Sequence, residues 1–288
     1  MVPTEIMDHI LSFLHSDKDY TTLESCSVVF PQIVDRHLYS HIGFTSYYNP
    51  AAVALMPSRA SFNEGVYIVH PTKFSHMLIN RPHVANYVRV VRLCMGSYST
   101  PANRPALFAD LSSILPILRH IESISLRANG ILQWHTLGAK FCTDFRDIIR
   151  LPSIKEVAIT NVYGLSLDAF YNCENLKNLV LYGQFLGGEG TPTSSYPQLC
   201  SLSVDRHTNP TRMASWINCM KANTVDTLCL RISPKDGDLF KFLPLIEACS
   251  NTLVNLELDL LLLYRELRIF HSKFPLNLPT MKLQPHYT

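Results

Sequence analysis

Leu176-Lys177-Asn178-Leu179-Val180-Leu181 carries a pattern that repeats along the chain. Apolar residues stand at its first, fourth and sixth positions. The same spacing recurs at Val88-Val91-Leu93, Ile121-Ile124-Leu126, Ile154-Val157-Ile159, Leu199-Leu202-Val204, Val225-Leu228-Leu230, Leu253-Leu256-Leu258 and Leu278-Met281-Leu283. Successive side chains of a strand point to opposite faces, so the last two apolar residues of each copy share a buried face. The residue between them points the other way.

Measured at the last apolar position, the copies are separated by 33, 33, 22, 23, 26, 28 and 25 residues. Leucine-rich repeats have periods of roughly 20 to 29 residues, each unit opening on a short strand. The spacing therefore predicts an α/β chain: an irregular leucine-rich solenoid over 88–288, with a curved parallel sheet inside and helices outside. Helical stretches are predicted at 105–119, 136–149, 165–172, 212–222, 238–248 and 262–274. The Gly-, Ser-, Thr- and Pro-rich run from Gly183 to Pro197 reads as a loop instead.

The 288 residues show no apolar run near the roughly 18 needed to cross a bilayer, and Met1-Val2-Pro3-Thr4-Glu5 does not resemble a secretory leader. Eight cysteines lie at least ten residues apart, so no Cys-x-x-Cys is available for zinc or redox chemistry. They read as reduced thiols of an intracellular protein, cytoplasmic or nuclear. Charge is unevenly divided: six acids against Lys18 and Arg36 give residues 1–44 a net charge of −4, which leaves +6 for the rest. That surplus is too diffuse to predict nucleic acid or membrane as a partner.

Within residues 1–44, Ile6, Met7, Ile10, Leu11 and Leu14 form one helical stripe behind Pro3; Leu23, Cys26, Val28 and Val29 belong to a second; Ile33, Val34, His37 and Leu38 make a third. So small a bundle is near the size at which a chain needs a partner for stability. The segment Val2-Pro3-Thr4-Glu5-Ile6, Ile10-Leu11-Ser12-Phe13-Leu14, Leu23-Glu24-Ser25-Cys26-Ser27-Val28-Val29 and Arg36-His37-Leu38-Tyr39 resembles the F-box, in particular that of the large fungal F-box family. Pro31 and Ile33 depart from that family, which usually has a polar or basic residue and an aromatic one there. The resemblance implies a helical hook that binds a Skp-type adaptor, and through it a cullin, through Pro3, Ile6, Ile10, Leu14, Leu23, Val28, Val29 and Ile33. The protein would then be a substrate-recognition adaptor of an SCF ubiquitin ligase. The alternative is a repeat scaffold with no link to ubiquitin, its first helices being only a cap. Residues 45–87 read as a non-repeating connector with a strand near 66–69 and a helix from Pro71 to Asn80; its Pro82-to-Arg89 stretch also resembles the lead-in of fungal F-box proteins.

No catalytic residues, cofactor or metal are expected. Gly187-Gly188-x-Gly190 lacks a following helix N-terminus to hold phosphate, Gly164-Leu165-Ser166 lacks the second glycine of a nucleophile elbow, and His37 and His41 have no third ligand nearby. The candidate substrate-binding row is the free face of the repeat strands, where Arg92, Arg127, Tyr182, Asp205, Arg231, Glu257 and Asp259 fall. Its early strands bear arginine and its late ones mostly acid, so a docking protein is expected to present acid to the former and base to the latter.

Overall fold

The computed structural model describes residues 31–45, 67–95, 104–187, 196–220, 224–232, 238–260 and 281–285. The chain divides into two units, residues 1–130 with 137–153, and residues 131–136 with 154–288.

In the first unit a parallel sheet runs in the order β2 (Tyr67–Val69), β1 (His41–Thr45), β3 (Val90–Met95), β4 (Ser123–Gln133, of which the part to Gly130 belongs to this unit). Helix α1 (Pro31–Tyr39) precedes β1, α2 (Pro71–Asn80) follows β2, α3 (Arg104–Ile114) joins β3 to β4, and α4 (Ala139–Ile149) comes after β4. Parallel neighbours require such crossovers. Pro71 stands at the start of α2, where a missing N–H costs nothing. Phe74 and Leu78 of α2, Phe108, Leu111 and Ile114 of α3, and Phe141, Phe145 and Ile149 of α4 are buried. Each such side chain is worth about 1.5–3 kcal/mol of transfer free energy.

The second unit repeats the scheme with β5 (Glu156–Ser166), β6 (Asn178–Leu186), β7 (Ser201–Asp205), β8 (Thr227–Ile232), β9 (Asn255–Leu260) and β10 (Met281–Pro285), all parallel and in chain order. Helix α5 (Pro210–Cys219) crosses from β7 to β8; α6 (Asp238–Lys241) and α7 (Leu243–Cys249) cross from β8 to β9. Asn209 caps α5, its side-chain oxygen accepting from Arg212 N–H at 3.0 Å.

The hexamer pattern maps onto these strands position by position. Leu179 pairs with Leu202, Leu202 with Leu228, Leu228 with Leu256 and Leu256 with Met281. From Val91 and Leu93 to Leu256 and Leu258 the two strand positions of each copy are buried. In five of the copies the residue after the first apolar position links the copy to the next through its backbone. There the carbonyls of Arg89, Lys155, Lys177, Cys200 and Asp226 each accept two successive N–H groups at the start of the following strand. Ser40 O does the same for Arg89 and Val90. Tyr39, Ile42 and Phe44 are therefore a further copy of the pattern, all buried, with aromatics at its first and last positions. The expected boundary at residue 44 falls inside β1, and β1 lies in the sheet rather than closing a separate helical segment.

Several predicted elements are corrected. Residues 165–172 form no α-helix: β5 runs to Ser166, and a single 3-10 turn follows over Leu167–Phe170, capped by Ser166 Oγ accepting from Asp168 N–H. With β6 opening at Asn178, the connection is too short for a longer helix. Gly183 to Leu186 belong to β6, since Phe185 is buried on the core face. The 136–149 helix begins only after Gly138, behind a 3-10 turn over Trp134–Leu137, and Pro244 stands in the first turn of α7, where the 238–248 helix divides. The first two N-terminal stripes, most of the Gly183-to-Pro197 run and the 262–274 helix lie outside the described residues.

β5 and β6 stay paired beyond Thr160 only because β5 bulges. Asn161 (φ 60°) and Gly164 are extra residues, so that Val162 faces Gly183 and Leu165 faces Phe185. The bulge pushes Val162 against β6: a Cβ on Gly183 would sit 2.4 Å from Val162 O, and Gly183 has φ 147°. Gly183→Ala is expected to cost about 2–4 kcal/mol in chemical denaturation, from strain and overlap together; a cost near zero would show that the two strands separate readily here.

Candidate functional site

On the second unit, the side chains alternating with the core form ladders across the sheet face. Thr160 pairs with Tyr182, and Asp205 pairs with Arg231, which pairs in turn with Asp259. The Arg231 guanidinium lies 5.4 Å from the Tyr182 ring centroid, within cation–π range. Its Nε stands 3.4 Å from Asp259 Oδ2. Arg231 is thus stacked on one side and ion-paired on the other, which holds its side chain in place. Burial, with smaller contributions from neighbouring groups, pushes the Tyr182 phenol pKa up, so the ring is a neutral aromatic surface at physiological pH.

Asp205 does different work from that expected of it. It is only 7% exposed, and its Oδ1 accepts from Gly183 N–H (3.1 Å), His207 N–H (3.1 Å) and Thr208 Oγ1 (3.1 Å). Thr208 Oγ1 also lies 3.1 Å from Leu181 O. The Asp-x-x-Thr sequence therefore closes the turn after β7 and ties it to β6, a local motif with a known mechanism. Burial raises the Asp205 pKa, and the Gly183 N–H, the His207 charge and the Thr208 and His207 hydrogen bonds oppose the rise. Asp259 is also buried, whereas Glu257 is half-buried. Beside the turn, the Tyr163 and His207 rings are 6.3 Å apart, a pair that sequence reasoning does not single out.

On the first unit the ladder positions read His41, Val90 and Ser123; Gly43, Arg92 and Ser125; then Thr45, Cys94 and Arg127. Arg92, Ser125 and Arg127 are half-buried. Burial pushes the Cys94 thiol up to about 12 despite the opposing Arg127 and Arg92 charges, and burial together with Arg92 lowers the His41 pKa. On the second unit, burial and the Asp259 and Glu257 charges push the Cys229 thiol up to about 11. Both cysteines are protonated and unsuited to nucleophilic attack.

Of the adaptor-binding candidates, Pro3, Ile6, Ile10, Leu14, Leu23, Val28 and Val29 lie outside the described residues, and Ile33 falls in α1 without a described side chain. Sequence reasoning missed Asp35. Its carboxylate is fully buried, bonded to Arg81 Nη2 and, at 3.0 Å, to His83 Nε2. This cluster fastens α1 to the 3-10 turn Pro82–Asn86.

No family model matches the sequence, and no curated protein matches it. Among the described residues no cluster of three or more His, Cys, Asp or Glu could hold a metal ion, and no helix is long and apolar enough to cross a membrane. What the geometry offers is a sheet face whose best-organised element is the Tyr182–Arg231–Asp259 stack.

Proposed function

We propose that the chain is a substrate-recognition adaptor of an SCF ubiquitin ligase, acting in the cytoplasm or nucleus. In this reading the N-terminal helices hold a Skp-type adaptor and, through it, a cullin, while leucine-rich repeats hold the substrate protein. The chain itself performs no catalysis. The F-box resemblance of residues 1–44 supports the adaptor end. The observation that carries the substrate end is the Tyr182–Arg231–Asp259 stack on a face made by in-register repeat strands. Aromatic and arginine side chains held rigid at the centre of a surface are the commonest interface anchors.

A second reading draws on α1. Asp35 and the Ser40 carbonyl build the end of residues 1–44 into the first unit, which equally suits a repeat scaffold with a helical cap.

Proximity labelling in cells separates the two ends of the adaptor. Tyr182→Ala is expected to keep the Skp-type adaptor and cullin among the labelled proteins and to reduce the other specific partners about tenfold or more, the effect of losing a hot-spot aromatic. Retention of every partner by Tyr182→Ala would move the substrate off this face; absence of adaptor and cullin from the wild-type set would leave only the scaffold reading.

A further inference from the structure

β6 runs to Leu186, but its described pairing with β7 ends at Leu181, opposite Val204. Tyr182 is the first residue of β6 past that ladder. From there on, side chains of the turn after β7 and of α5 take over the backbone groups of β6. Asp205 Oδ1 accepts from Gly183 N–H at 3.1 Å, Thr208 Oγ1 lies 3.1 Å from Leu181 O and 3.3 Å from Gly183 O, and Arg212 Nη1 donates to Phe185 O at 2.9 Å. Buried backbone groups need such partners once strand pairing ends. Leu181 and Gly183 flank Tyr182, so the backbone is held on both sides of the tyrosine. Thr208 is 3% exposed and Asp205 7%, and the two side chains are bonded to each other at 3.1 Å.

The same pair keeps clear the space in which the stack forms. Asp205 pairs with Arg231 on β8, and on its other side it continues the Leu181–Val204 register toward Tyr182 on β6. Strands two apart in a sheet are separated by about 9–10 Å, yet the Tyr182 ring centroid lies 5.4 Å from the Arg231 guanidinium carbon. Ring and guanidinium therefore reach toward each other across β7, at Asp205. An aspartate standing up on the free face would intrude there. A carboxylate bonded to Gly183 N–H, His207 N–H and Thr208 Oγ1 is turned to the backbone instead.

We propose that Asp205 and Thr208 are the positioning residues of the Tyr182–Arg231 pair: they bracket the backbone of Tyr182 and hold its ring where it stacks on the guanidinium. The consequence for binding rests on the reading of that stack as the substrate-docking element. An aromatic anchor already held in place loses less affinity to ordering than one that must be immobilised on binding.

The test is the ring-current shift that Tyr182 imposes on the Arg231 side-chain protons in NMR spectra of the full chain, with Tyr182→Leu as the unshifted reference. Thr208→Val keeps the shape of the side chain and removes its hydroxyl. It is expected to lose most of the shift while the amide spectrum away from β6 and β7 stays that of the parent, and Thr208→Ser is expected to retain the shift. A shift kept in full by Thr208→Val, or lost equally in Thr208→Ser, would overturn the assignment. Should Thr208→Val not fold, the wild type decides: the Gly183 amide, bonded to the Asp205 carboxylate, is expected to exchange with solvent at least about tenfold more slowly than in an unstructured chain, and unprotected exchange would overturn the bracket. Proximity labelling with Thr208→Val keeps the two readings apart. Loss of the shift together with a roughly tenfold loss of the partners that Tyr182→Ala loses supports both. Loss of the shift with every partner retained upholds the positioning role and counts against the stack as the docking element.

Discussion

Arg81→Ala is expected to destabilise the first unit by about 3–5 kcal/mol, more than the roughly 2 kcal/mol expected of Asp35→Ala, although Arg81 is the more exposed of the two. The asymmetry follows from burial. Asp35 has no exposed surface, whereas the side chains of Arg81 and His83 are 30% and 46% exposed. Removing the aspartate leaves an arginine and a histidine that water can reach. Removing the arginine leaves a buried carboxylate with a single, half-exposed histidine to answer it. The measurement is urea denaturation of the full chain and both variants at one pH. Equal costs, or a greater cost for Asp35→Ala, would mean that the carboxylate is hydrated when its partner leaves. The same variants should loosen α1 first, because Asp35 is its buried link to the turn at Pro82.

Leu14→Asp is expected to abolish co-purification with a Skp-type adaptor while leaving the repeats folded. Leu14 closes the apolar stripe of Ile6, Ile10 and Leu11 in the segment that resembles the F-box hook. A carboxylate placed within an apolar interface must be desolvated without a partner, which costs far more than a lost contact. Far-UV circular dichroism of the variant should match the parent, because β1 and the sheets begin well beyond residue 14. Undiminished co-purification would remove the F-box reading and leave the scaffold.

The repeat is legible because it rests on two periods that the chain cannot disguise, alternation within a strand and return of the strand after 22 to 33 residues. Leu176 to Leu181 predicts which two strand side chains are buried in six other copies, and the register bears out that reading. One copy, Tyr39-Ile42-Phe44, escapes because aromatics replace leucine at its ends and because the segment also reads as the close of the helical hook. Asp35 escapes for a different reason: its partners lie 46 and 48 residues away, and no local pattern links them. Asp205 is misread although its signal is local. Strand alternation puts it on the free face, but the Thr three residues on and the N–H of Gly183 turn its carboxylate inward. The bulge at Asn161 is equally hidden, since alternation carries no mark of an inserted residue until its partner strand is known. The residues of the Tyr182–Arg231–Asp259 stack are legible as sharing one face but not as a stack, which depends on the register of four strands, β6 to β9.

Adaptor binding is tested by a calorimetric titration of purified Skp-type adaptor into the purified full chain, alongside Leu14→Asp. The adaptor reading predicts saturable binding at one adaptor per chain, with no measurable heat from the variant. No binding by the well-folded wild type, or equal binding by both proteins, would contradict it.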